Sequence, residues 1–325
     1  MPTPVRGDRL RSRLDGVETA GVTHDPRPDR TPTMTPARRL ASVLEPIAGQ
    51  AQFSREAHQN YVRLGFDPSP ASVGQTPLPD RASFFTGRGS VLGQVPGTLI
   101  AAAFAVFNPE VVVPLVEKGW TLTNAAEMWQ ARENGAVASL QRMLPDLDSS
   151  SSSSALSIAD RLLRTSAQLP LHGRAFFSAQ RSLPIPDAPH ARLWRAADRL
   201  REFRGDSHII AWSSEGLTPI EVGLLGDQYW GLARRAHTGG RGWTDEQLDD
   251  AEHNLGRRAL MHDGRITDAG FDLRDRIEQR TDDLVAPVVA DLGADLDRIV
   301  ATLQPWSDAI VAAGGYLSPL VRFRF

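Results

Sequence analysis

The chain of 325 residues contains no cysteine. That excludes disulfides, a thiolate nucleophile and any Cys-ligated zinc or iron–sulfur cluster. It has a single lysine, Lys118, so nearly every cation is an arginine, which reads as a bias of base composition rather than as phosphate recognition. The net charge of −3 gives no basic excess of the kind that nucleic-acid binders use to neutralise phosphates. No uncharged apolar run approaches the length of a membrane-spanning helix. The N-terminus is charged and lacks the apolar segment of a secretion signal, so a cytoplasmic location is expected. G-x-S-x-G, Walker A, G-x-G-x-x-G and H-E-x-x-H patterns are all missing. "GRGSVLG" (Gly87–Gly93) has glycines but no lysine of a phosphate loop.

What is present reads as helix. Residues 1–33, rich in Arg, Asp, Pro and Thr, cannot bury enough apolar surface to order themselves and read as a disordered leader, with Met34 a candidate start. Thr35 fits an N-cap and Pro36 the first helical position. Leu40, Val43, Leu44 and Ile47 then share one face. Ser54 caps a second helix, and "FDPSPASVGQTPLPD" reads as an irregular loop. Thr98–Val116 is apolar, interrupted by Pro109 and Pro114, and its "LIAAAFAVF" reads as helical and largely buried. "EKGWTLT" reads as a strand and wing, after which Thr123 or Asn124 caps a long helix to about Leu144. "PDLDSSSSSSALS" (Pro145–Ser157) reads as a low-complexity linker. Helices follow over 158–168, 172–181 and 190–203. The expected organisation is a leader (1–33), an N-terminal half (34–144), a linker (145–157), a C-terminal half (158–304) and an apolar tail (305–325).

The two halves repeat one another. "WTLTNAAEMWQARENGAVASL" (Trp120–Leu140) and "GRITDAGFDLRDRIEQRTDDL" (Gly264–Leu284) share an opening and a long helix. "ARRLASVLEPI" returns as "HARLWRAADRLREF", "SREAHQNYVRLGF" as "GDSHIIAWSSEGL", "TGRGSV" as "TGGRGWT" and "PLVEKGWTLTNAA" as "RRALMHDGRITDAG". Five blocks in one order point to an internal duplication. The element order of the second half is that of a winged helix-turn-helix. The expected fold is therefore mainly α, with duplicated winged helix-turn-helix halves, small β wings and an intramolecular pseudo-dimer.

The stretch "TDEQLDDAEHNLGRRALMHDGRITDAGFDLRDRIEQRTDDL" (Thr244–Leu284) is similar to the recognition helix, wing and terminal helix of the MarR-type regulators. The chain from about Met34 to Leu303 also resembles an uncharacterised actinobacterial helix-turn-helix family, on "REFRGDSH" (Arg201–His208) and "GRGW" (Gly240–Trp243). MarR-type proteins are dimers. The resemblance implies a monomer with an internal pseudo-two-fold, or a weak homodimer, with a small-molecule pocket between the halves.

Duplex DNA is a candidate partner, but the recognition helix opens with Asp245, Glu246, Asp249, Asp250 and Glu252, five carboxylates that would repel phosphates. Arg257 and Arg258 near its end, with Arg234, Arg235, Arg241 and Arg265, are the candidates for backbone contact. A ligand pocket would draw on His58 and His208, which hold matching places in the repeats, with Tyr61 and Trp212 about a turn on. Such a pair could hold haem, a metal or an anion; equally, each could be a packed histidine satisfying a backbone group. Phe104, Phe107, Trp194, Tyr229 and Trp230 complete an aromatic set that is either pocket lining or core. Asp206 in "RGDSH" reads as an N-cap, or as an acid/base partner of His208. His190 reads as a helix start, and His172, His237, His253 and His262 as solvated. The leading reading is a MarR-like protein binding a small apolar or aromatic ligand. The alternatives are a haem-, metal- or ligand-dependent enzyme, and an interaction module using its C-terminal tail.

Overall fold

The computed structural model describes residues 33–317. The leader expected over 1–33 falls almost wholly outside them, as does the end of the apolar tail. The described chain is mainly helical, with two small antiparallel sheets. No helix among the described residues is long and apolar enough to cross a membrane. It divides into two compact units, Leu217–Asp275 and a larger one of Thr33–Gly216 with the chain from Arg276 onward.

The larger unit holds α1 (Pro36–Gly49), α2 (Arg55–Arg63), a hairpin of β1 (Ser72–Val73) and β2 (Thr76–Pro77), α3 (Arg81–Gly89), α4 (Gly97–Phe104), α5 (Pro109–Leu122) and α6 (Ala125–Met143). Next come α7 (Ser152–Ala167), α8 (Ala175–Ser182) and α9 (Pro189–Ser213). The smaller unit follows with α10 (Pro219–Tyr229), α11 (Asp245–Arg257), β3 (Met261–His262) and β4 (Arg265–Ile266). α12 (Asp268–Leu292) gives its first residues to the smaller unit and the rest to the larger, which α13 (Asp295–Ala312) completes.

Local chemistry sets the helix starts. Thr35 accepts from the Arg38 N–H, Ser54 from Ala57 and Asn124 from Glu127, each satisfying one orphan donor of a first turn. The stripe Leu40, Val43, Leu44 and Ile47 is buried in the main core, with Leu193, Trp194, Ala197 and Leu200 of α9 and Val285, Val288 and Leu292 of α12. The Trp194 indole N–H donates to the Ala48 carbonyl at 3.1 Å, joining α9 to α1.

Three expectations are corrected. "EKGWTLT" is not a strand and wing: α5 runs through it to Leu122 and stops at the extended Thr123. Val112, Val116 and Gly119 recur at helical spacing on its buried face, and that periodicity overrides the β-prone Trp-Thr-Leu-Thr. The hairpin of this half lies earlier, in the proline-rich loop, pairing Ser72 with Pro77 and Val73 with Thr76 around Gly74. The serine-rich linker forms a 3₁₀ turn over Pro145–Asp148 that buries Leu147, and α7 then starts within the serines at Ser152. Nor does a helix begin at Asp206. α9 continues through "RGDSH", because Phe203, Asp206, Ser207, Ala211 and Trp212 keep one buried face across Gly205.

Close approach of α2 and α6 depends on Gly135. A Cβ there would lie 2.3 Å from the Ala57 Cα and 2.6 Å from its backbone nitrogen. Gly135→Ala is expected to destabilise the fold by about 1–3 kcal/mol through overpacking, read as a lower midpoint in chemical denaturation followed by circular dichroism.

Candidate nucleic-acid interface

In the smaller unit, α10 and α11 both open on capping boxes. Thr218 and Glu221 exchange hydrogen bonds at the start of α10, as do Thr244 and Gln247 at the start of α11. Between the helices, the buried Asp227 carboxylate accepts from the backbone N–H groups of His237 and Thr238 at 3.2 and 3.0 Å and so fixes the turn; burial pushes its pKa up. Gly223 lets Thr238 approach, since a Cβ there would lie 2.6 Å from the Thr238 hydroxyl oxygen. α11 turns Leu248, Ala251 and Leu255 inward.

Beyond α11, the β3–β4 hairpin pairs Met261 with Ile266 and His262 with Arg265. Its tip, Asp263 and Gly264, has φ of 47° and 72°, the paired positive values of a tight primed hairpin turn. Thr267 then anchors the start of α12, its hydroxyl donating to the Ala259 carbonyl and accepting from the Gly270 N–H. Tyr229 donates to Asp275 at 2.6 Å, with the Arg274 guanidinium over its ring and Phe271 and Trp230 beside it.

The surface charge is uneven. The unit carries seven arginines against eleven carboxylates over 217–275. Asp245, Glu246, Asp249 and Asp250 are exposed on the first turns of α11. Two of the six DNA-backbone candidates are drawn onto that helix: Arg234 and Arg235 both pair with Glu252, and Arg235 also with Asp249. Burial pushes the Glu252 carboxyl up, but the two guanidinium groups outweigh it and hold it below the usual carboxylate range. Arg241 is buried and donates to His237 Nδ1. The other three, Arg257, Arg258 and Arg265, are exposed at the end of α11 and on β4. Arg257 touches Asn254, and Arg258 lies 3.8 Å from Glu221.

The ligand candidates of the larger unit fall into separate clusters. His58 is buried and bonded through Nε2 to the Gln52 carbonyl at 2.9 Å; burial pushes its pKa down. Tyr61 packs with Phe66 in a small core, and burial pushes its phenol up to about 12. Phe104 and Phe107 belong to an edge-to-face aromatic cluster with Phe84 and Phe85, and Phe104 also meets Phe176. Trp194 stacks on Trp129 in the main core. Trp212 is buried near the end of α9, and His208, in that helix's interior rather than at a cap, bonds Thr281 at 3.0 Å. His58 and His208 therefore answer to different partners. Tyr229 and Trp230 lie in the smaller unit. His190 is buried, facing Asp148 and the Leu144 carbonyl. Among the described residues no group of three His, Asp or Glu side chains is placed to hold a metal ion.

Sequence reasoning missed a strip of buried charge along α9. Asp198 pairs with Arg132 at 2.9 Å and accepts from Gln180. Glu202 holds Arg88 in a two-pronged contact and Arg201 at 3.0 Å. Burial pushes Glu202 up, yet Arg88 and Arg201 bring it down to about 2. Arg201 also grips Glu45 of α1, which accepts from the Tyr316 hydroxyl. Glu45, Arg201, Arg204 and Gly205 help line a cavity of about 30 Å³, room for a water-sized guest. The one signal in the sequence was "HARLWRAADRLREFRGDSH" itself, whose charges recur at helical spacing beside its aromatic stripe.

The profile of a helix-turn-helix family matches residues 37–317, and the chain belongs to that family. No curated protein and no solved structure matches it.

Removing Asp198 strands the Arg132 guanidinium in the core. Asp198→Ala is expected to cost about 3–5 kcal/mol, and adding Arg132→Met should restore part of it. Denaturation of the two variants checks both directions.

Proposed function

We propose that the chain is a MarR-like winged-helix protein of regulator type that meets duplex DNA through phosphates. In this reading β3–β4 is the wing, and Arg257, Arg258 and Arg265 make the contacts. The observation that carries it is the split of charge on the helix-turn-helix unit. Cations stand exposed at the end of α11 and on the hairpin, while the first turns of α11, where bases would be read, present carboxylates. Such a surface favours weak binding with little sequence preference.

The internal duplication belongs to the same proposal. In it, the blocks of 34–144 return in 158–304 as two copies of one winged helix-turn-helix module. A small apolar or aromatic ligand is the effector class we assign, and the Phe104–Phe107 cluster is the chemistry it would meet.

Fluorescence anisotropy of a labelled duplex, titrated across salt, tests the DNA contact. Affinity is expected to fall as salt rises, similarly for unrelated sequences. Arg257→Ala with Arg265→Ala should reduce the log–log slope by roughly two, near one for each phosphate no longer neutralised. A flat response to salt removes phosphate contact from the account.

A further inference from the structure

α9 places three buried carboxylates one turn apart on one side: Asp198, Glu202 and Asp206. The first two have arginine partners. Asp206 has no ion pair among the described residues. Its hydrogen bond comes from the backbone N–H of Phe177, at 2.9 Å, in the first turn of α8. α8 has no side-chain cap of its own, so a carboxylate borrowed from α9 fills that role.

The charged groups facing Asp206 are already engaged. Glu202, one turn earlier on α9, adds like charge. Arg88 of α3 is taken by Glu202 and lies over the rings of Phe104 and Phe176. Arg174, just before α8, donates to the Ser207 hydroxyl and the His172 carbonyl and lies over the Phe203 ring.

We propose that Asp206 is a proton-operated latch on α8: neutral, it lets α8 seat on α9, and ionised, it is a buried charge without an ion pair that loosens α8. Desolvation, with Glu202 adding to it, pushes the carboxyl up to about 7, against the backbone hydrogen bond from Phe177 and the attraction of Arg88 and Arg174. The raised pKa makes the seated form the better proton binder, so the added stability is complete below the ordinary carboxylate range and is lost as pH rises through about 7. Loosening reaches two places, because α8 carries Phe176 into the aromatic cluster and Gln180 onto Asp198.

Hydrogen exchange read by mass spectrometry on the full chain, corrected for intrinsic rates, tests the latch. Between pH 6 and pH 8.5, protection of peptides covering 174–183 is expected to fall about tenfold, while peptides from α6 hold steady. Asp206→Asn keeps an acceptor for the Phe177 N–H and removes the titration, so its protection should not change with pH. Equal pH dependence in the variant, or none in the wild type, overturns the proposal. Carbon-13 NMR of the wild-type Asp206 carboxyl gives a reading independent of the variant: a midpoint near 7 supports the latch, and one below about 5 overturns it.

Discussion

The larger unit depends on charge balance along α9. A helix with Asp198, Arg201 and Glu202 buried could not be seated in an apolar core on its own. It is seated because three of its neighbours bring the opposite charge: α6 brings Arg132, α3 brings Arg88 and α1 brings Glu45. Buried pairs of this kind add little net stability over well-packed apolar residues, since desolvation consumes most of the attraction. What they add here is position. A guanidinium held by two hydrogen bonds tolerates little sliding, so the pairs fix where α1, α3 and α6 meet α9.

Aromatic packing works with that balance. Arg132 lies over Trp194 as well as against Asp198, and Arg88 is held by Phe104 and Phe176 as well as by Glu202. Each guanidinium thus exchanges water for a ring face and a carboxylate together, which lowers the cost of leaving solvent. Rings that looked from sequence like candidates for a ligand are in part the lining of these arginine sites. A residue such as Trp194, stacked on Trp129 with its N–H on Ala48, is already fully engaged.

Much of the helical layout was legible because its signals are local. Thr35, Ser54 and Asn124 announce helix starts by their own side chains, and the α1 stripe announces its buried face by spacing. The errors arose where a tertiary contact outvoted a local cue. Gly205 and Asp206 look like a helix start, yet the buried face of α9 passes through them. "GWTLT" has strand propensity, yet Gly119 lets α5 close on Thr86 as a helix. Six serines look like a tether, yet Leu147 and Ala155 on either side are core residues. The paired charges were invisible for a related reason. Arg132 and Asp198, or Glu45 and Arg201, are far apart in sequence, and no local pattern says which arginine meets which carboxylate.

The smaller unit shows how a fixed local scaffold can carry a variable surface charge. The capping boxes, the Asp227-held turn and the tight hairpin build the scaffold mostly from hydrogen bonds to the backbone. The outer surface is then free to vary in charge. Here the carboxylates of α11 draw in Arg234 and Arg235, two cations that a phosphate-binding surface would otherwise present outward. The result is an electrostatic gradient along one helix, acidic at its start and basic at its end. A polyanion would be favoured only at the basic end, where the partial negative charge of the helix C-terminus offsets part of the attraction of the arginines. The same pair of helices can therefore retain its geometry while the balance of charge, set by a handful of side chains, decides how firmly any polyanion is held.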